Sequence, residues 1–413
     1  MPVNQQAHDN VQKSLDSITS DAGLKVPGMV FTAVDKNGDA ITENVSGTRG
    51  LDTKKPMTLD TVFWIASCTK LLATIAAMQL AEQGKLSLDD HNELYKVLPE
   101  LKDKKVLQED GSLVDKTSEI TLRRLLNHTA GFGYEIFNKK LMEYGRPAGF
   151  DVFSGDIHDI VDTPLVNQPG SRWEYGVNID WAGIAVERVS GLTLNDYLKQ
   201  NVFAPLGVTN IDMLPSDEMK AHLAAMHQRL PNGETLESDH PMRRSLKARS
   251  DADKARIFNS AGAGCFAQPT QYVQILVALL NNGTHPKTKK QILKPETVDE
   301  MFENQIPEFP DFARNTPLPP CKNEYSNAAP ELYPEEGDPP QGWGLSFMIT
   351  TKPGMTGRGR QTAWWAGIAN LFWWCDREKG VAGIIASQVL PFGDPVVMGQ
   401  WFACEKAVYD AIA

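Results

Sequence analysis

The chain lacks several features whose absence narrows what it can be. Its five cysteines, Cys68, Cys265, Cys321, Cys375 and Cys404, are odd in number and contain no C-x-x-C pair. A disulfide framework or a thiolate zinc site is therefore not expected, and thiols in a reducing, cytoplasmic compartment are. No run approaches eighteen apolar residues, which excludes a membrane-spanning helix. The first twenty residues, MPVNQQAHDNVQKSLDSITS, carry no apolar h-region, so no secretory signal is expected. Basic charge is also in deficit. A net charge of −11 argues against nucleic acid or an anionic membrane as partner. G-x-S-x-G occurs nowhere, which speaks against an α/β-hydrolase nucleophile elbow. The pair His222 and His227 is i,i+5 without the H-E-x-x-H form, so neither a metal nor another cofactor is expected.

What remains is an ordinary globular composition, 41% hydrophobic and 23% charged, in a chain long enough for two lobes. Residues 4–20 read as a polar-faced helix. Two β-rich runs, 28–34 and 41–45, flank Lys36-Asn37-Gly38-Asp39, a strong hairpin signal. From 71 to 250 the pattern is mostly helical, and Thr121 is a plausible N-cap for a short helix ending before Gly131. Nine prolines between Pro307 and Pro340 exclude regular structure there, leaving a lid or a surface loop. Beyond it, 344–349, 361–365, 370–374 and 381–386 read as strands, and about 395–412 as a closing helix. Strands at both ends with helices between imply an α+β fold, an α/β sandwich. Its antiparallel sheet is built from both termini (1–90 and 255–413), and 91–254 forms a mainly helical inserted lobe.

Three segments carry chemistry. Ser67-Cys68-Thr69-Lys70 is the only S-x-x-K in the chain, lying between an extended run (60–66) and an Ala/Leu-rich helix closed by Gly84. At i,i+3 on a helix the lysine amine shares a face with the serine hydroxyl. A serine needs such a base to become a nucleophile, and burial disfavours the charged form of a lysine. Cys68, its neighbour, reads as a small buried filler. Tyr175 sits on a turn in the loop Asn167–Asn178, which ends at a helix beginning near Asp180, so its hydroxyl can project into a cleft. In the third segment, Ala363–Asn370, Gly367 on an edge strand would let a substrate approach the backbone, and the following amide could donate to an oxyanion.

In this order the segments resemble the serine β-lactamase and penicillin-binding-protein superfamily, in the branch of class C β-lactamases, family VIII esterases and fungal simvastatin-synthase-like transesterases. Leu125-Leu126-Asn127-His128-Thr129-Ala130-Gly131, Pro169-Gly170 before Trp173-x-Tyr175, Pro205-Leu206-Gly207 and Ala261-Gly262-Ala263-Gly264 carry the same resemblance. It implies Ser67 as nucleophile, Lys70 as its activating partner, and Tyr175 as general base and later general acid. The backbone amides of Ser67 and Ile368 would form the oxyanion hole. Asn178 corresponds to the Tyr-x-Asn asparagine with one residue inserted and would contact substrate, and His128 would hold the loop beside the cleft.

Trp365-Ala366-Gly367 stands where β-lactamases of this branch carry Lys-Thr-Gly. Trp365 supplies no charge for an antibiotic carboxylate, and suits a neutral, apolar acyl or alcohol group. Six of the nine tryptophans lie from Trp343 onward, consistent with an apolar cleft wall. The expected activity is that of a serine carboxylesterase or transesterase acting on an ester or thioester with an apolar acyl group, with water or an alcohol as acceptor. The alternatives are a β-lactamase or D-amino-acid peptidase of the same superfamily, or a non-catalytic scaffold.

Overall fold

The computed structural model describes residues 4–21, 23–24, 26–315, 320–328 and 331–413. A seven-stranded antiparallel sheet is built from both ends of the chain, as expected. Its strands are β1 (Gly28–Asp35), β2 (Ala40–Gly47), β3 (Gly342–Trp343), β4 (Met348–Thr350), β5 (Thr362–Gly367), β6 (Leu371–Asp376) and β7 (Val381–Ala386). They lie in the order β3-β4-β5-β6-β7-β1-β2. The two termini meet where Val30 pairs with Ala386 and Asp35 with Val381. The β1–β2 hairpin turns at Gly38, whose φ of 76° a side chain would disfavour. The Asp35 carboxylate locks that turn by accepting from the amides of Asn37 (2.8 Å) and Asp39 (3.0 Å).

The run 344–349, expected as one strand, is broken. Gly342–Trp343 and Met348–Thr350 pair with each other around a tight reversal. Ser346 takes a positive φ of 74° there and donates its amide to Leu126 O at 2.8 Å.

Helices cover both faces of the sheet. On one, α1 (Gln5–Thr19) buries the stripe Ala7, Val11, Leu15 and Ile18 against β2 and α5 (Pro395–Ile412). Trp401 of α5 stacks on Phe372 of β6 with centroids 4.2 Å apart. On the other face α4 (Pro269–Leu280) packs on β7 and β1. Next come α2 (Thr69–Glu82) and α3 (Asn178–Ser190), packed together. Every residue of α2 from Thr69 to Leu80 is buried, so it is a central helix rather than an amphipathic surface one. Thr121 does cap Leu122–Leu126, accepting from Arg124 N. Between 91 and 254 short helices and turns alternate with two small hairpins, Lys105–Asp115 and Met226–Ser238.

The proline-rich excursion holds one helical turn, Phe312–Asn315, and is otherwise irregular where described. Pro317, Pro319 and Pro330 lie outside the described residues.

Candidate active site

The nucleophile turn is pinned by its neighbours. Phe63–Trp64 pairs with Phe266–Ala267, and Ile65 N donates to Cys265 O at 3.0 Å. Ala66 then takes a φ of 44°, a left-handed conformation that costs a non-glycine residue on the order of 1–3 kcal/mol. It swings the chain through one 3₁₀ turn, Ala66–Cys68, into α2. Ser67 therefore sits at the mouth of the helix with Lys70 one turn inside it. Lys70 is wholly buried, and its Nζ donates to Ser67 Oγ at 3.1 Å.

The other two N–H groups of that ammonium are also used. One goes to Tyr134 OH at 3.1 Å and one to Gly262 O at 2.9 Å, so all three donors are satisfied. Tyr134 is absent from the set drawn from sequence. It comes from the turn after Gly131, 64 residues from Lys70, and no local pattern marks it. Burial pushes its phenol well above the ordinary range, with the nearby Asp180 charge adding to the effect, so it is held protonated.

Asp180 completes this floor. It is 1% exposed, and its Oδ1 accepts from Ser260 Oγ (2.8 Å) and Gly262 N (2.9 Å). Burial raises its carboxyl above the usual range, opposed by the Lys70 charge. Gly262 has to be glycine here. A Cβ would stand 2.5 Å from Asp180 Oδ2 and 2.9 Å from Tyr134 OH.

Tyr175 lies in the cavity wall. Its hydroxyl accepts from the Trp365 indole N–H at 3.1 Å. Lys70 Nζ stands 4.7 Å from its ring centroid, over the face rather than bonded to the oxygen. His128, fully buried with a φ of 60°, packs against it at 4.9 Å between centroids and accepts the Glu174 amide on its carbonyl at 2.8 Å. Burial, and secondarily the Lys70 charge, hold the imidazole well below its ordinary pKa. It is a neutral prop for the Tyr175 segment.

Asn178 is not where a substrate-contacting residue belongs. The start of α3 turns it into the core, with no exposure. Its amide meets His128 Nδ1 at 3.0 Å and donates to the carbonyls of Phe132 and Glu174, both at 3.2 Å. Asn178 has no bond to Lys70, whose amine bonds the Tyr134 hydroxyl.

The edge expected at Gly367 is local. β5 is an interior strand, but β4 covers only Thr362–Trp364, leaving Trp365-Ala366-Gly367 uncovered on that side. This stretch and Ile368 line the cavity beside Ser67. A Cβ on Gly367 would stand 2.6 Å from Ile65 O, so only glycine lets β5 approach the nucleophile turn closely. That approach puts the Ile368 segment beside Ser67.

The cavity has a volume of about 990 Å³ including its open mouth. Its wall is largely aromatic and aliphatic, with Ile136, Phe137, Phe153, Trp173, Met348 and Trp365 among the contributors. Phe312, Asn327, Glu331 and Leu332 of the proline-rich excursion form part of the wall, so this segment covers the site. Cys68 is fully buried, and burial pushes its thiol up, as an inert filler requires.

A family model described as Beta-lactamase matches residues 18–401. An ML-236A carboxylate methylbutanoyltransferase of Penicillium citrinum is 29% identical over 408 residues, covering 94% of this chain and 91% of that protein. A lovastatin esterase of Penicillium rubens is 32% identical over 389 residues, covering 89% and 90%. The unliganded, selenomethionyl simvastatin synthase from Aspergillus terreus superposes with a TM-score of 0.79 at 28% identity, over 97% of each chain. With relatives that are ester hydrolases and acyltransferases, and with a matched model spanning nearly its whole length, the chain belongs to the β-lactamase family, in the superfamily of serine β-lactamases and penicillin-binding proteins.

Proposed function

We propose that the protein is a serine acyl-transferring enzyme that takes an apolar acyl group from an ester or thioester onto Ser67 and passes it to water or an alcohol. The observation that carries this reading is the Lys70 amine, bonded to Ser67 Oγ and Tyr134 OH at the floor of an apolar cavity.

Once Lys70 has lost one proton, its lone pair can accept the Ser67 hydroxyl proton and the bond between them reverses direction. Oγ then attacks the acyl carbonyl carbon. The negative charge moves to the carbonyl oxygen, toward the amides of Ser67 and Ile368. Tyr175 delivers a proton to the departing alkoxide or thiolate, and the C–O or C–S bond breaks. In the second half water or an alcohol gives its proton to Tyr175 and attacks the acyl carbonyl carbon, and the bond from that carbon to Oγ then breaks as Lys70 returns the proton it took, restoring the Ser67 hydroxyl.

The relatives named as a methylbutanoyltransferase and an esterase favour ester chemistry. A β-lactamase or carboxypeptidase reading calls for a cation facing a substrate carboxylate. Among the described residues no lysine or arginine lines the cavity, and Trp365 stands at the lysine position of the β-lactamase motif.

The test is intact mass after brief exposure to short-chain acyl thioesters and activated acyl esters, with Ser67→Ala alongside. An acyl-sized gain in the wild type alone is expected, with release accelerated by an added alcohol. No adduct and no turnover at any chain length, with the protein folded, overturns the reading.

A further inference from the structure

The cavity wall contributed by the proline-rich excursion carries one charged group, Glu331, whose side chain is 15% exposed. It is held in place from behind. Arg314 Nε donates to Glu331 Oε1 at 3.0 Å, and Gln341 Nε2 donates to the same oxygen at 3.1 Å. Both donors converge on Oε1, so on this cavity-lining residue Oε2 is the oxygen that neither of them engages. Arg314 shares its charge among three carboxylates, pairing with Glu331 at 3.0 Å, Asp311 at 3.3 Å and Asp338 at 3.7 Å, and it also gives Nη1 to Pro339 O at 2.9 Å, while its buried Nη2 has no hydrogen-bond partner. The other carboxylate on the wall, Asp180, is engaged by Ser260 and Gly262 and faces the Lys70 charge. The wall therefore offers a substrate no cation among the described residues and one oriented anionic acceptor.

We propose that this acceptor selects the substrate. The compound that receives the acyl group carries, besides the reacting hydroxyl, a second hydrogen-bond donor (a hydroxyl or an ammonium) that bonds Glu331 Oε2, and it carries no carboxylate. A carboxylate brought to this wall would meet the Glu331 charge in an apolar, poorly screened cavity, where like charges oppose each other strongly. A donor group would complete the valence of an oxygen otherwise left unpaired. Glu331 is thus a specificity-determining residue, acting on the choice of acceptor and not on the chemistry at Ser67. The inference rests on the acyl-transfer reading above.

The experiment is competition for the acyl-enzyme among four-carbon alcohols: 1-butanol, 1,4-butanediol, 4-(dimethylamino)-1-butanol and 4-hydroxybutanoate. They differ in the distal group alone, and the tertiary amine cannot be acylated stably at nitrogen. In the wild type the diol and amino alcohol are expected to outpace the hydroxy acid by about tenfold or more, the scale of one charge contact in a desolvated site. In Glu331→Gln the amino alcohol preference is expected to collapse and the hydroxy acid to gain. The wild-type ranking needs no variant, so it stands even where Glu331→Gln misfolds. A wild type that prefers the hydroxy acid, or a folded Glu331→Gln with an unchanged ranking, overturns the proposal. Failure of every acceptor together with absence of an acyl-enzyme overturns the acyl-transfer reading instead.

Discussion

The hydroxyl of Tyr134 stands 3.1 Å from the Lys70 amine, the same distance as the hydroxyl of Ser67 on its other side. The amine is thus a bridge between the Ser67 hydroxyl and a phenol that burial keeps protonated, while Tyr175 touches the same amine through its ring face. Two tyrosines flank one lysine, and their contacts assign them different work.

On the proposed mechanism Tyr175→Phe removes the proton donor to the leaving group, and kcat is expected to fall by roughly 100- to 10,000-fold with KM little altered. Tyr134→Phe removes one hydrogen bond from Lys70, and a loss of roughly tenfold in kcat is expected. Single-turnover acylation of both variants with one thioester checks the order. Equal losses would show that the two phenols act as one unit.

Gly367→Ala drives a methyl against Ile65 O, 2.6 Å from the ideal Cβ position. The strand has to back away from the nucleophile turn, taking the Ile368 amide with it. Loss of alignment of one oxyanion donor costs on the order of 100-fold in kcat. The strain lowers stability by about 1–3 kcal/mol. Steady-state kinetics and urea unfolding on the same preparation measure both.

His128 gives a pH signature. Its folded-state pKa is held well below the ordinary 6.5, so below that pH the unfolded chain takes up a proton that the folded protein refuses. Stability from this group is complete above pH 6.5 and is lost as pH falls, by about 2 kcal/mol between pH 7 and pH 5. His128→Asn tolerates the left-handed backbone and does not titrate. Unfolding free energies at the two pH values should therefore show a loss smaller by about that amount in the variant. An undiminished loss would place the acid sensitivity elsewhere.

Arg358 and Glu405 form a bidentate pair with no exposure on either side, at 2.5 and 2.6 Å. The Trp401 indole donates to Glu405 as well, at 3.0 Å. Glu405→Gln leaves a guanidinium uncompensated in the core, and a loss of about 3–5 kcal/mol is expected. Denaturant unfolding should show it.

The sequence made visible what neighbouring residues decide. The Ser67–Lys70 contact follows from helical spacing, the β1–β2 hairpin from Asn37-Gly38, and the Thr121 cap from its hydroxyl. It concealed what tertiary packing decides. Tyr134 and Gly262 reach Lys70 across 64 and 192 residues, and neither lies in a periodic pattern. Asn178 misled because motif spacing does not report which way a helix start turns its first side chain. The run 344–349 misled because apolar residues continue through a reversal that a backbone bond to Leu126 stabilises. Glu331 had no signal at all, since an acidic residue among nine prolines reads as solvated surface.

One strand, β5, carries Trp365 in the cavity wall and leads into Ile368 beside Ser67, whereas another part of the wall comes from an irregular loop whose described residues make no hydrogen bond to Ser67 or Lys70. The two walls are consequently free to change at different rates. Substitutions along the strand disturb catalysis and fit together, while the loop can be rewritten, lengthened or exchanged with little penalty to the chemistry beneath it. On the proposed reading, a change of acceptor is open to the cover while the Ser67–Lys70 floor stays as it is.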